Sequence, residues 1–144
     1  MGKLGWLGFI PLAIAMPALA DCREFLPVGA ATAEVRKTVS PSGTLITSDN
    51  WNTDFVVPGD RPHRTIRATI TAEQTAPFAL KLFLKYADNT ADKFFENTVR
   101  LTAGRPLVLT GTPRPQSQPF QVNVFVGGLE AIGSTYRVQV QGRP

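Results

Sequence analysis

Cysteine and histidine are almost absent from this chain, with one residue of each among 144, and this shortage limits its chemistry. A lone cysteine has no internal disulfide partner, and the two side chains cannot form the four-ligand set of a structural zinc site. A Ser-His-Asp triad would have to use the single histidine as its base. We therefore expect no enzymatic activity, no bound metal and no cofactor.

A concentrated charge of either sign is also missing. Lys and Arg number 15 against 11 Asp and Glu, which gives a net charge of +4, and no run of five or six like charges occurs. Scattered charges of this kind do not predict a nucleic-acid-binding surface. The hydrophobic fraction of 43% is enough for a core, and the length suits one domain.

Residues 1–20 have the pattern of a secretory signal. Lys3 precedes an uncharged run that ends in Ala18-Leu19-Ala20, the small-residue pattern that signal peptidase accepts. The alternative is a membrane anchor, but the run is shorter than the roughly 20 residues that span a bilayer, and two prolines interrupt it. We predict cleavage after Ala20, a secreted or periplasmic mature protein, and no stable transmembrane segment after cleavage.

Cys22 would then lie next to the new N-terminus. The preceding residues are similar to a lipoprotein box, but Asp21 occupies the position where that motif has a small residue. A free thiol or an intermolecular disulfide is the favoured interpretation over lipidation.

The mature chain predicts an all-β fold, an antiparallel two-sheet β-sandwich with seven or eight strands. Residues 21–33 have little periodicity and are interpreted as a lead-in segment, and 34–144 as the sandwich domain. Within 34–144, short runs of apolar and β-branched residues are separated by turn residues every 8–12 positions, and several runs alternate with period two. The strand-like runs are 35–39, 44–47, 52–57, 65–71, 78–86, 93–101, 106–110, 120–126 and 136–140, and they predict seven or eight strands.

Three groups of residues have side chains of the types used in catalysis or metal binding. His63 lies between Arg61 and Arg64, which predicts a turn histidine at the surface with a lowered pKa. The segment 88–92 is similar to the start of a calcium loop, but Lys93 and Val99 replace the glycine and the acid that such a loop needs, so a solvated hairpin is favoured. Nothing in the sequence brings together a pair of the acids Asp49, Asp54, Glu73 and Glu96.

The first functional hypothesis is an exported, non-catalytic interaction or assembly protein of the cell envelope or extracellular space. Phe83, Phe94 and Phe125 lie opposite the main apolar faces of their strands, so at least one should be exposed unless a protein partner or a second copy covers it. A small hydrolase is disfavoured because a suitable base is missing.

The alternative hypothesis is a carbohydrate-binding module. Trp51 lies in a polar, turn-like stretch, where its ring could stack on a sugar while Asn52 and Asp54 bind hydroxyl groups. The competing explanation is that Trp51 covers one end of the core. Sandwiches of this kind occur in carbohydrate-binding modules, adhesion domains and envelope-assembly proteins, so architecture alone does not decide between the hypotheses.

Overall fold

The computed structural model describes residues 22–144, and the predicted signal segment 1–20 lies outside this range. The predicted two-sheet antiparallel β-sandwich is confirmed, with nine strands. No helix formed by residues 22–144 is long and apolar enough to cross a membrane. The strands are β1 (Arg23–Glu24), β2 (Val35–Thr38), β3 (Asn52–Val56), β4 (Thr65–Ala72), β5 (Ala76–Lys85), β6 (Ala91–Leu101), β7 (Leu107–Gly111), β8 (Gln121–Gly127) and β9 (Thr135–Arg143).

The strands divide into two sheets. One has the order β1-β9-β4-β7, with β2 also paired to β9, and the other has the order β3-β8-β5-β6. Every strand pairing is antiparallel. We call these the five-stranded and the four-stranded sheet. The only helical turn in residues 22–144 is a short 3-10 segment, Leu129–Ala131.

The core lies between the sheets and follows the period of two that the sequence predicts. In β5, Phe78, Leu80, Leu82 and Leu84 are each at most 1% exposed, while the residues between them are half-buried. The strand therefore turns one apolar face inward and leaves the other, with Lys81 and Lys85, on the outside. The inward residues of β4, β8 and β9 complete the core from both sheets.

Two segments differ from what the sequence predicts. The predicted strand 44–47 is wrong: Thr44 and Thr47 close a tight turn through their backbone and through their hydroxyl groups, which are 2.7 Å apart. Leu45 and Ile46 are at the tip of this turn and almost fully exposed. Near the start of the described residues, Phe25 is fully buried and its backbone N–H donates to the Val140 carbonyl. The segment before residue 34 therefore packs against the sandwich core.

Candidate functional site

The outer face of the four-stranded sheet collects aromatic and polar side chains from three strands. The antiparallel register places Asn52, Phe125 and Lys81 in one row across the sheet. The next row, about 7 Å further along the strands, contains Asp54, Asn123 and Phe83. We call this surface the outer face and define it by Trp51, Asn52, Asp54, Lys81, Phe83, Lys85, Asn123 and Phe125.

Trp51 lies across the backbone of Gly127. A Cβ added at Gly127 would come within 3.0 Å of three indole carbons, so only a glycine allows the ring this close to the sheet. The indole N–H donates to the Ser40 carbonyl at 2.9 Å, and the ring meets Phe125 edge-to-face at 5.8 Å between centroids. These contacts fix the ring on three sides, yet the residue stays only half-buried. Trp51 is therefore a half-buried ring that packs against the edge of the hydrophobic core and keeps part of its surface accessible.

Lys81 is tied to the aromatic row. Its ammonium lies 4.6 Å from the centre of the Phe125 ring, within the range of a cation–π contact, and 3.6 Å from Glu96 Oε1. Lys93 forms a second ion pair with Glu96, and the two lysines together lower the pKa of that carboxyl, Lys93 more strongly. Phe125 is consequently covered on one face by a charged group.

Asp54 is the polar centre of the second row. Its Oδ1 accepts a hydrogen bond from Lys85 Nζ at 3.2 Å and another from Asn123 Nδ2 at 3.0 Å. Among the described residues no donor reaches Asp54 Oδ2, and Asn123 Oδ1 likewise accepts no hydrogen bond from another described side chain. Two oriented acceptor atoms are thus left without a protein donor, of which Asp54 Oδ2 belongs to a partly exposed side chain and Asn123 Oδ1 to a residue only 7% exposed.

Lys37 of β2 reaches from the five-stranded sheet to the start of β3. Its ammonium donates to the carbonyls of Asn50 and Asn52, at 3.2 and 3.1 Å, and to the Thr53 hydroxyl at 2.8 Å. Burial lowers the pKa of Lys37, and the negative charge of Asp54 partly opposes that shift. The lysine therefore anchors the segment that carries Trp51.

The residues singled out in the sequence are brought together with one exception. Trp51, Asn52, Asp54, Phe83 and Phe125 share the outer face, although Phe83 and Phe125 are half-buried. Phe94 is the residue of β6 at the register shift between β5 and β6. Its ring lies near Gly111 of β7, away from the outer face, and 37% of its surface is exposed. Sequence reasoning missed the two lysines of β5, Asn123 and Gly127; their alternation with the inward residues of β5 and β8 was the available signal.

The acidic residues considered for catalysis are separated and engaged by other groups. Glu73 accepts two hydrogen bonds from Arg36, and these lower the pKa of the Glu73 carboxyl. Asp49 Oδ1 accepts a hydrogen bond from the backbone N–H of Trp51 at 3.1 Å. Asp92, at the start of β6, binds Arg114 with both carboxylate oxygens, each at 2.9 Å. No group of three potential metal-ligating side chains occurs within residues 22–144.

The prediction of a surface position for His63 is wrong. Its side chain is only 2% exposed and packs edge-to-face on Phe25, with ring centroids 5.1 Å apart. Gly142 permits this packing, because a Cβ there would come within 3.0 Å of both rings. The predicted lowering of the His63 pKa agrees in direction, but burial is the main cause, and Arg23 and Arg61 contribute less.

His63 should make the fold less stable in mild acid. Its pKa lies below the ordinary 6.5, so the unfolded chain takes up a proton first and the free energy of unfolding falls as the pH drops below 6.5. For one proton the slope is at most about 1.4 kcal/mol per pH unit. Urea denaturation between pH 7.5 and 5.5 should show this loss, and His63→Leu should flatten it. An equal slope in both proteins would contradict the assignment.

The comparisons with known proteins give similarities of fold. No protein-family model and no curated protein sequence matches the chain. It is similar to the C-terminal family 22 carbohydrate-binding module of Clostridium thermocellum Xyn10B, with 15% identity, a TM-score of 0.41, and coverage of 80% of this chain and 88% of that one. It is also similar to the CBM22-1 xylan-binding domain of Paenibacillus barcinonensis Xyn10C, with 6% identity, a TM-score of 0.34, and coverage of 84% and 85%. A structure of infectious bursal disease virus matches with 14% identity, a TM-score of 0.36, and coverage of 83% of this chain and 32% of that one.

The first functional hypothesis, binding of a protein partner or self-assembly, is corrected. Carbohydrate-binding modules recur among the structures of similar fold. The physical reason lies in the phenylalanines on which the hypothesis rested. Phe83 and Phe125 are half-buried, Phe125 is covered by Trp51 and Lys81, and Phe94 lies elsewhere. They do not form one exposed apolar patch that a partner would have to cover.

Proposed function

We propose that the chain is a non-catalytic carbohydrate-binding module that holds a polysaccharide on the outer face of its four-stranded sheet. The observation that carries the proposal is the close packing of the half-buried Trp51 ring on Gly127, beside a row of fixed polar groups on the same surface. A sugar ring has apolar C–H faces and a polar rim of hydroxyl groups. It therefore needs an aromatic platform next to oriented hydrogen-bonding groups.

Trp51 supports the apolar half of such a contact. Its Nε1–H bond to Ser40 and its edge contact with Phe125 immobilise the ring before any ligand arrives. A preorganised aromatic side chain loses little conformational entropy on binding, so more of the contact free energy is available for affinity.

Asp54 and Asn123 support the polar half. Their Oδ2 and Oδ1 atoms can accept hydrogen bonds from sugar hydroxyl groups, and Lys85 and Lys81 supply donors nearby. Charge-assisted hydrogen bonds of this kind are stronger than neutral ones.

Export and the absence of catalysis are parts of the same proposal. The signal segment 1–20, the lead-in 21–33 and the domain 34–144 stay predictions from the sequence, and a polysaccharide ligand is consistent with a protein outside the cell. The acids are held by cations or backbone groups, and the buried His63 is poorly placed to act as a base, which supports a binding role over hydrolysis.

Trp51→Ala should lower glycan affinity by about tenfold or more, equivalent to about 1.4 kcal/mol, because the stacking platform is removed. An array that includes xylan, β-glucan, mannan and pectin would first identify the ligand, and calorimetry would then compare the variants. Phe94→Ala is the matched control, since it removes an exposed aromatic ring that lies off the outer face. Its affinity should match that of the unmodified protein.

Circular dichroism and a thermal melt must show that Trp51→Ala is folded at the temperature of the assay. A folded Trp51→Ala protein with unchanged affinity would contradict the assigned face. Failure of the unmodified protein to bind any glycan of the array would contradict the function itself.

A further inference from the structure

A second concave site lies at one end of the sandwich, away from the outer face. It is a cavity of about 720 Å³, a volume within the range of small-molecule sites. Its walls come from the loop before β4, the loop between β7 and β8, and the residue that follows β9. The lining residues are Arg61, Pro62, His63, Arg64, Thr112, Pro113, Arg114, Pro115, Gln118 and Pro144.

The two loops are locked together. The Gln118 side chain accepts the His63 N–H at 2.9 Å and donates to the His63 carbonyl at 3.1 Å. On the second loop, the Arg114 backbone N–H donates to the Tyr86 hydroxyl at 3.0 Å, and the Arg114 guanidinium stacks 3.9 Å above the Tyr86 ring. The cavity is therefore preformed and does not depend on a ligand to assemble its walls.

The cavity carries uncompensated positive charge. Arg114 is neutralised by its paired contact with Asp92, and the nearby Asp60 is occupied by Arg23. By contrast, neither Arg61 nor Arg64 forms an ion pair with any residue in the described part of the chain. Two guanidinium groups are thus left to bind an oxyanion, for which their planar donor geometry is well suited.

His63 belongs to the cavity wall through its backbone and ring, but its ring nitrogens are not accessible from the cavity. The side chain is 98% buried in the cavity wall, and both ring nitrogens lack a hydrogen-bond partner among the described residues. A buried polar atom without a partner is rare in folded proteins and costs stability. Because neither ring nitrogen is accessible and the ring packs against Phe25 and Gly142, His63 contributes a rigid part of the cavity wall and no hydrogen bond to a ligand.

We propose that this cavity binds an acidic sugar residue, whose carboxylate pairs with Arg61 and Arg64. The prolines of both loops give the walls apolar surfaces suited to the C–H face of a sugar ring, while Gln118 and Thr112 supply polar groups for its hydroxyls. A free inorganic oxyanion would satisfy the arginines alone and would leave the proline surfaces unused. The site is separate from the outer face and does not require Trp51.

The test uses glucuronic acid, galacturonic acid, glucose and inorganic phosphate as probes, followed through the backbone amide NMR signals of the two loops. Glucuronic or galacturonic acid should shift signals in 61–64 and 112–118, whereas glucose should not. Combined Arg61→Gln and Arg64→Gln substitution should weaken acidic-sugar binding by about tenfold or more, because both charged partners are lost. Arg105→Gln, at an exposed turn outside the cavity, is the matched control and should change nothing.

The outcomes separate this proposal from the one above. Acidic-sugar binding that survives Trp51→Ala but not the double arginine substitution would support the cavity, whatever happens at the outer face. Phosphate binding without acidic-sugar binding, equal shifts with glucose, or no shifts in either loop would each overturn it. So would acidic-sugar binding that the double substitution leaves unchanged.

Discussion

Leu82→Asp is expected to prevent the chain from folding. Leu82 is fully buried in the middle of β5, between neighbours β8 and β6, so an introduced carboxylate would face the apolar side chains of both sheets. The substitution loses about 1.5–3 kcal/mol of apolar burial. A charge buried without a partner adds a penalty of several kcal/mol or more, which together approaches the roughly 5–15 kcal/mol total stability of a domain.

Lys81→Asp is the matched control, because it places the same side chain one residue away on the outside of the same strand. Lys81 is half-buried and faces Glu96 across the sheet, so the change replaces an ion pair by two like charges at a cost of about 1 kcal/mol or less. The control should give soluble protein with the circular dichroism of a β-sandwich, and Leu82→Asp should not. Equal tolerance of the two changes would mean that the inward and outward faces of β5 are assigned the wrong way round.

Much of the fold follows from local sequence because burial alternates along a strand. The period of two in β4, β5 and β9 places the inward residues correctly, as in Ile66, Leu80 and Val138, which are at most 1% exposed. The segment 44–47 has a similar composition but lacks a partner strand, and its threonine hydroxyls satisfy the backbone in a turn instead. Composition alone does not distinguish these two outcomes.

Non-local packing accounts for the other differences. Phe25 and His63 are distant in the sequence, and their rings meet because Gly142 of β9 leaves space for both. No local pattern around His63 reports this contact, and its arginine and proline neighbours are typical of a surface turn.

The candidate site could be predicted in part for the same reason. The aromatic and acidic residues Trp51, Asp54 and Phe125 are recognisable from their types and settings. The pairing of Asp54 with Asn123 depends instead on the register between β3 and β8, which the sequence does not specify. The cavity at the end of the sandwich is not predictable from the sequence, because its two loops are distant along the chain. Hydrogen bonds between Gln118 and His63 join them in the fold.

Gly127→Ala should abolish most glycan binding without removing any atom that touches the sugar. The new methyl group would occupy the space of the Trp51 ring, so the indole must move off the sheet and lose its bond to Ser40 and its contact with Phe125. Overpacking of this kind costs about 1–3 kcal/mol of stability. We expect a folded protein with a lower melting temperature, altered Trp51 fluorescence, and an affinity about tenfold or more below that of the unmodified protein.

Gly59→Ala is the control for the backbone change itself, because a Cβ at Gly59 meets no heavy atom within 4 Å and this glycine does not adopt a positive φ. It should leave both the melting temperature and the affinity unchanged. If Gly127→Ala displaced the indole and yet bound glycan normally, the orientation of Trp51 would be irrelevant to binding. If the displaced ring and the lost affinity occur together, as we expect, then recognition depends on how the sheet holds the tryptophan and not only on its presence.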